Sequence, residues 1–220
     1  MNEAIGQILP LAVGVGLSPF PIIAMVLMLS TPRARSNGPA FLLGWVVGLG
    51  GLGTIVLLTS SGIGASDDSE PAGWVAWLKI VLGLLLLLVA VKQWRGRNVE
   101  KPAPKWMQSI DHFTPVKSAG VGLLLAAVNP KNLLLTVAAA AAIAETGIAP
   151  GQEAIALAVF VAIGSIGVGA PVFIYFALGE RSAHILERLN SWMAANNTVI
   201  VAILMLIIGA KLVGDGIAGL

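Results

Sequence analysis

Polar positions along this chain are sparse and clustered, and between them lie six long apolar runs. They fall near Ala4–Ser30, Gly38–Thr59, Trp74–Val91, Ala119–Ile143, Glu153–Leu178 and Thr198–Ile217. At about 1.5 Å per helical residue, each is long enough to cross roughly 30 Å of hydrocarbon. Trp74, Trp77, Trp94, Trp106 and Trp192 sit at or just outside the run ends, where an amphipathic indole prefers to lie. The pattern predicts an all-α membrane protein with six transmembrane helices.

The charges give those helices a direction. Arg33 and Arg35 lie between runs one and two. Lys92, Arg95, Arg97, Lys101, Lys105 and Lys117 lie between three and four, and Arg181 and Arg188 between five and six. The other two connections carry only acids: Asp67, Asp68, Glu70 and Glu145. Basic loops stay on the cytoplasmic side, so every connection predicts both termini outside and the odd-numbered connections in the cytoplasm. The opening MNEAIGQILPLAV has no basic stretch and no A-x-A cleavage site, and reads as a retained span.

Composition agrees with this picture. Hydrophobic residues make up 57% of the 220 and charged residues only 11%, with a mean hydropathy of +0.90; soluble domains carry about 25% charged residues. The net charge of +2 reflects loops facing anionic lipid, not nucleic-acid binding. The absence of cysteine excludes disulfides and thiolate metal sites. His112 and His184 have no companions at ligand spacing, and no nucleophile–base set or phosphate loop is present. The sequence therefore predicts no metal, no cofactor and no catalytic residue, hence no enzyme.

The chain divides into a first three-helix repeat (1–91), a basic cytoplasmic loop (92–118) and a second three-helix repeat (119–220). Each repeat has a run interrupted by proline, a Gly-rich run (GWVVGLGGLG, GSIGVGAP) and a run holding lysine, which sets Lys92 and Lys211 in equivalent positions. The first run goes inward and the fourth outward, so the repeats are inverted, the build of many secondary transporters. In the loop, Trp106, Ile110 and Phe113 share one helical face, as do Leu189 and Trp192 in ERLNSWMAANN, with Met193 beside them. Both stretches predict short interfacial helices.

Two interruptions carry the chemistry. GVGLSPFPII puts Ser18, Pro19 and Pro21 inside the first run, and LAAVNPKNLLL puts Asn129, Pro130, Lys131 and Asn132 inside the fourth. Ser and Asn favour the N-cap and proline the first helical position, so a new helix segment can start at each point. Backbone freed there survives in a membrane only where protein or a wet cavity satisfies it, and the N–H groups would receive an anion. Lys131 lies about 18 Å into its run, too deep to snorkel readily, and a charge there costs about 3 kcal/mol. No acid lies near the centre of any run. Lys131 therefore predicts a net-positive, anion-receptive cavity, a carrier that gives up its proton, or a structural bond to carbonyls of the opposite break. Lys79, Lys211, Asp215, Arg33 and Arg35 are secondary candidates. Lys79 and Lys211 fall near the outer interface, where a side chain snorkels cheaply, and Lys211 and Asp215 form an i, i+4 pair.

SPFPIIAMVLMLSTPRARSNGPAFLLGW and NPKNLLL resemble the GAP family, the glycopeptidolipid-addressing, Sap-like proteins of mycobacteria and related actinobacteria, within the lysine exporter (LysE) superfamily. The resemblance covers nearly the whole chain. It implies a bacterial inner-membrane protein that helps move a cell-envelope lipid, a glycolipid or peptidoglycolipid, outward, with the two proline motifs at the transport site. Arg33, Arg35, Asn37, Gly38 and Pro39 match the family's loop pattern without an assigned role. Amino-acid exporters of the superfamily carry an Asn-Pro-type motif in the first span as well, which Ser18-Pro19 departs from, and its thiol-reductant conductors need membrane cysteines.

The leading expectation is an exporter of a membrane lipid or other anionic amphiphile. The alternatives are an exporter of a small solute such as an amino acid or anion, or a scaffold that gathers lipid-biosynthesis proteins at its basic loop. A homodimer is the expected assembly.

Overall fold

The computed structural model describes residues 1–63, 73–96 and 110–220. These residues form eight α-helices and no strand: α1 Asn2–Gly16, α2 Pro19–Leu29, α3 Ala34–Ile63, α4 Gly73–Arg95, α5 Pro115–Ala127, α6 Pro130–Glu145, α7 Pro150–Leu178 and α8 Ser182–Ala218. Four of them (α2, α5, α6, α7) begin on proline, whose missing N–H costs nothing in the first turn. α1 meets α2 at 49° and α5 meets α6 at 63°, so each pair is a bent span. Ala34–Ser60, Val75–Arg95 and Pro150–Ala218 are each long and apolar enough to cross a membrane, and the bent pairs bring the count to five.

The expected fifth and sixth runs share the last of these stretches. α7 passes through a 3-10 turn, Gly179–Arg181, straight into α8, which starts at Ser182 rather than near Thr198. No Gly or Pro lies between Ser182 and Thr198 to stop it. ERLNSWMAANN is thus one part of a 37-residue helix. Its Met193 is buried and its Trp192 exposed, which corrects the expected interfacial segment. Ile110 and Phe113 are buried too, and the Phe113 carbonyl accepts a bond from Asn37 Nδ2 at 3.0 Å, so they pack into the protein instead of lying on lipid. Trp106, Arg97, Lys101, Lys105, Asp67, Asp68, Glu70 and the side chain of Trp74 lie outside the described residues.

The helix ends gather into two groups. At one end Leu29 packs against Gly38, Asn37 reaches Phe113, and Ser30 and Arg35 share a cavity with Tyr175 and Ser182. At the other, Lys79 pairs with Glu145, Leu57 faces Glu153, and Gly216 lies on Ala76. Arg33, Arg35, Lys117 and Arg181 belong to helix ends in the first group, while Glu145, Glu153 and Asp215 belong to the second.

Glycine seams set the packing. A methyl group on Gly44 of α3 would fall on the Ala119 carbonyl of α5, and one on Gly167 of α7 on the Gly16 carbonyl of α1. A methyl on Gly83 of α4 would lie 2.8 Å from the Gly209 carbonyl oxygen of α8, and one on Gly209 2.9 Å from that of Gly83. Without Cβ atoms, backbones approach to contact, which is what holds helices together where lipid removes the hydrophobic drive. The pairings also repeat between halves. α3 packs on α5 as α7 packs on α1; α3 meets α6 as α7 meets α2; α2 meets α8 as α6 meets α4. Through the reciprocal crossing, Gly83 corresponds to Gly209. Lys92 is nine residues past the first and Lys211 two past the second, so these lysines are not equivalent as expected.

Gly44→Ala should lower stability by about 1–3 kcal/mol through overpacking of the α3–α5 seam. Gly50→Ala, whose methyl meets nothing within 4 Å, should hold or gain up to about 1 kcal/mol from helix propensity. Unfolding of both in mild detergent tests the contrast, and equal stability of the two variants would contradict the seam.

Candidate functional site

The two breaks leave backbone carbonyls without their helical donors. In α1 the Val15 carbonyl looks four residues on to Pro19, which has no N–H, and the helix ends before Ser18 can serve Gly14. Side chains take over both roles. The Ser18 hydroxyl lies 2.6 Å from the Val15 oxygen, and Lys131 Nζ donates to the Gly14 oxygen at 2.6 Å from across the bundle. At the other break, Asn132 Nδ2 donates to the Leu125 carbonyl at 3.0 Å. Ser18 Oγ is also 2.9 Å from Asn132 Oδ1, so its single proton is shared between Val15 and Asn132. The structure therefore brings Ser18, Lys131 and Asn132 into one junction, joining segments more than a hundred residues apart in sequence.

The caps differ from expectation at one break. Asn129 behaves as an N-cap, its Oδ1 accepting the Lys131 N–H at 3.1 Å. Ser18 occupies the N-cap position of α2 but makes no side-chain cap bond. An N-cap oxygen takes its proton from the second or third N–H of the helix; here the third position is Pro21, and Ser18 turns back to Val15 instead. The prolines also thin out donors for an anion. The first three residues of α2 offer an N–H only at Phe20, and in α6 Lys131 N–H is already given to Asn129. Any attraction for an anion comes mainly from the Lys131 ammonium, not from the helix ends.

Burial is nearly complete. Ser18 is 1% exposed, Asn132 0% and Lys131 7%, and Pro19 and Pro21 are buried, while Pro130 is exposed. Gly14 is walled by Ile208 of α8 and Leu135 of α6. Three cavities of about 560, 620 and 420 Å³ open elsewhere, between α3 and α7, at the basic helix ends, and between α4 and α8; none of the three is lined by Ser18 or Lys131. The junction is closed in this structure. Lys131 bonds to a backbone carbonyl and forms no ion pair among the described residues. The structural bond to the opposite break, one of the roles its depth predicts, is present.

The secondary candidates separate from it. Lys79 is not a snorkelling side chain: it is buried and paired with Glu145, tying α4 to α6 about 21 Å along the helix from Lys131. Lys211 pairs with Asp215 on α8, one turn beyond Ile208. Arg33 and Arg35 are exposed at the start of α3, and Arg35 lines the 620 Å³ cavity. Sequence reasoning missed Gly14, whose carbonyl receives Lys131, and Thr136, fully buried one turn beyond Asn132 with its hydroxyl unpartnered. Among the described residues no three His, Asp or Glu side chains converge as metal ligands would.

A family model described as SfLAP: Sap, sulfolipid-1-addressing protein, matches residues 8–218. No curated protein and no solved structure matches the chain.

A double-mutant cycle of Ser18→Ala and Asn132→Ala should give a coupling of about 0.6–1.7 kcal/mol in detergent unfolding, the span measured for polar pairs between membrane helices. Strict additivity would mean that the two side chains do not bond in the native protein.

Proposed function

The chain belongs to the sulfolipid-1-addressing (Sap) family, and from that premise we propose that it exports an anionic cell-envelope lipid across a bacterial cytoplasmic membrane. The route runs through the midplane where its two broken helices meet. One observation carries the reading: Lys131 is buried halfway along the α5–α6 span with no carboxylate beside it among the described residues. A cation held at that depth is costly and is kept where it meets a ligand. A sulfated or phosphorylated headgroup could replace the Gly14 carbonyl as acceptor for the ammonium, so the existing bond marks where the cargo would dock.

The finer placement follows the same reading. The repeated helix pairings and the antiparallel crossing of α4 with α8 support two inverted three-helix repeats and six membrane crossings, α7 and α8 counting as two. The basic helix ends then face the cytoplasm and both termini lie outside. The Ser18-Pro19 and Asn129-Pro130 motifs support membership of the lysine exporter superfamily. The protein acts as a transporter and not as an enzyme.

A second reading, a scaffold for a separate lipid export machinery, draws on the closed packing of the junction. In that case Lys131 only caps a carbonyl. The two readings part on one variant. Lys131→Met leaves the Gly14 carbonyl without its donor and should lower stability by about 1–3 kcal/mol without abolishing the fold. It should cut export about tenfold or more, the loss of one charge-assisted bond to the cargo. Mass spectrometry of surface-extractable lipid measures export, and unfolding of the purified variant measures the fold. Normal export by a folded Lys131→Met protein would overturn the midplane route and leave the scaffold.

A further inference from the structure

The cavity of about 620 Å³ at the basic helix ends has a chemistry unlike that of the other two. It lies between Leu29 and Ser30 at the end of α2, Arg35 on α3, Tyr175 at the end of α7, and Glu180 and Ser182 at the turn into α8. Arg35 and Glu180 face the same space, yet neither enters an ion pair among the described residues, where the pairs are Lys79–Glu145 and Lys211–Asp215. Two opposite charges that share a cavity without meeting leave room for a ligand that satisfies both. The walls are fixed. Ser182 is buried and donates to the Gly179 carbonyl at 2.6 Å, bracing a turn whose Gly179 has φ +55°. Ser30 donates to the Val26 carbonyl at 3.0 Å, and the Tyr175 ring stands edge-on to Phe176 at 5.3 Å.

We infer that this cavity is a receptor site for a lipid headgroup bearing an anionic ester beside free hydroxyl groups. The guanidinium fork of Arg35 matches the oxygens of a sulfate or phosphate ester. Glu180 can only accept when ionised, so it takes hydroxyl protons from the same headgroup. The serine hydroxyls, whose protons are already given, keep their lone pairs for further hydroxyl donors. A bare sulfate or phosphate ion would satisfy Arg35 but bring its charge toward the Glu180 carboxylate. The volume suits a ligand of this size rather than a small ion, within the ~300–1,000 Å³ of small-molecule pockets. α2 links this site to the junction: eleven residues, about 17 Å of helix, separate Ser30 from Pro19. The inference rests on the lipid-cargo reading and adds a loading site to it, about half a bilayer from Lys131.

The test is equilibrium binding by calorimetry, using the full chain purified in a maltoside detergent. The probes are octyl glucoside 6-sulfate, neutral octyl glucoside, inorganic sulfate and a short-chain phosphatidylethanolamine. The parent should bind the sulfated glycoside about tenfold or more tightly than any of the other three, the worth of one charge-assisted bond. Arg35→Gln should lose about tenfold for the sulfated probe and little for the neutral one. Glu180→Gln should weaken both glycosides, and Arg35→Lys should restore only part of the loss. Both side chains are exposed, so the variants should unfold with the parent. Sulfated-probe binding unchanged in Arg35→Gln would overturn the site. Inorganic sulfate or phosphatidylethanolamine binding as tightly as the sulfated glycoside would overturn the headgroup assignment. The readout is binding and not export, so its failure leaves the midplane route standing, and loss of export in Lys131→Met leaves this site untouched.

Discussion

A backbone carbonyl that loses its N–H in the middle of an apolar span has to be satisfied by protein, because lipid offers it nothing. The arrangement at the centre of this molecule follows from that constraint. Pro19 strips Val15 of its donor and ends α1, so Gly14 and Val15 both need one. Ser18 supplies the second locally, and only a long side chain from the other half of the chain reaches the first. Lys131 does so, which fixes α6 against α1. Asn132, the next residue, serves Leu125 with its amide nitrogen and receives Ser18 on its oxygen. Three stranded carbonyls are met by Ser18 and the adjacent pair Lys131 and Asn132, and the two breaks have to be neighbours for this to work.

α6 is the helix on which this meeting depends, and its sequence suits it to a central place. Ala138–Ala142 and Ile143 are all buried, so the helix is apolar all round, as an interior helix must be. Alanine brings neighbours in close, and the glycine seams do the same on either side. Where the C-terminal end of α6 would otherwise leave Glu145 in an apolar setting, Lys79 of α4 meets it. Burying such a pair gives little net stability, because desolvation offsets the attraction, but removing one partner strands the other. The pair is better understood as fixing the position of α4 relative to α6 than as a source of stability.

The breaks were legible because their cause is local. Proline lacks an N–H and nothing downstream can restore it, so SPFP and NPKN announce themselves in one dimension. The depth of Lys131 was legible for the same reason, by counting residues. Its partner was not, since the Gly14 carbonyl is 117 positions away and a glycine carries no mark of accepting a side-chain bond. The Lys79–Glu145 pair, 66 residues apart, hid in the same way behind a plausible snorkelling position. The weakened N-cap of Ser18 was legible in principle: Pro21 occupies the third helical position and removes one of the two N–H groups the hydroxyl could have used. The extent of α8 was obscured by an opposite cause. Polar residues from Glu187 to Asn197 look like a loop by hydropathy, yet without Gly or Pro they propagate a helix as well as apolar residues do.

The closed junction also bears on how such a site could operate. Ser18, Lys131 and Asn132 hold the two breaks through hydrogen bonds to backbone, to each other and to no fixed charge. Bonds of this kind between membrane helices average only about 0.6 kcal/mol each, since the separated partners find other acceptors. A carboxylate beside Lys131 would have cancelled the charge that the proposed anionic cargo needs. A carbonyl acceptor instead engages the Lys131 nitrogen without setting a negative charge beside it. On the proposed route, a carbonyl is the partner that closes the junction at rest while still yielding to an anion, so the absence of a midspan acid follows from the same logic as the presence of the lysine.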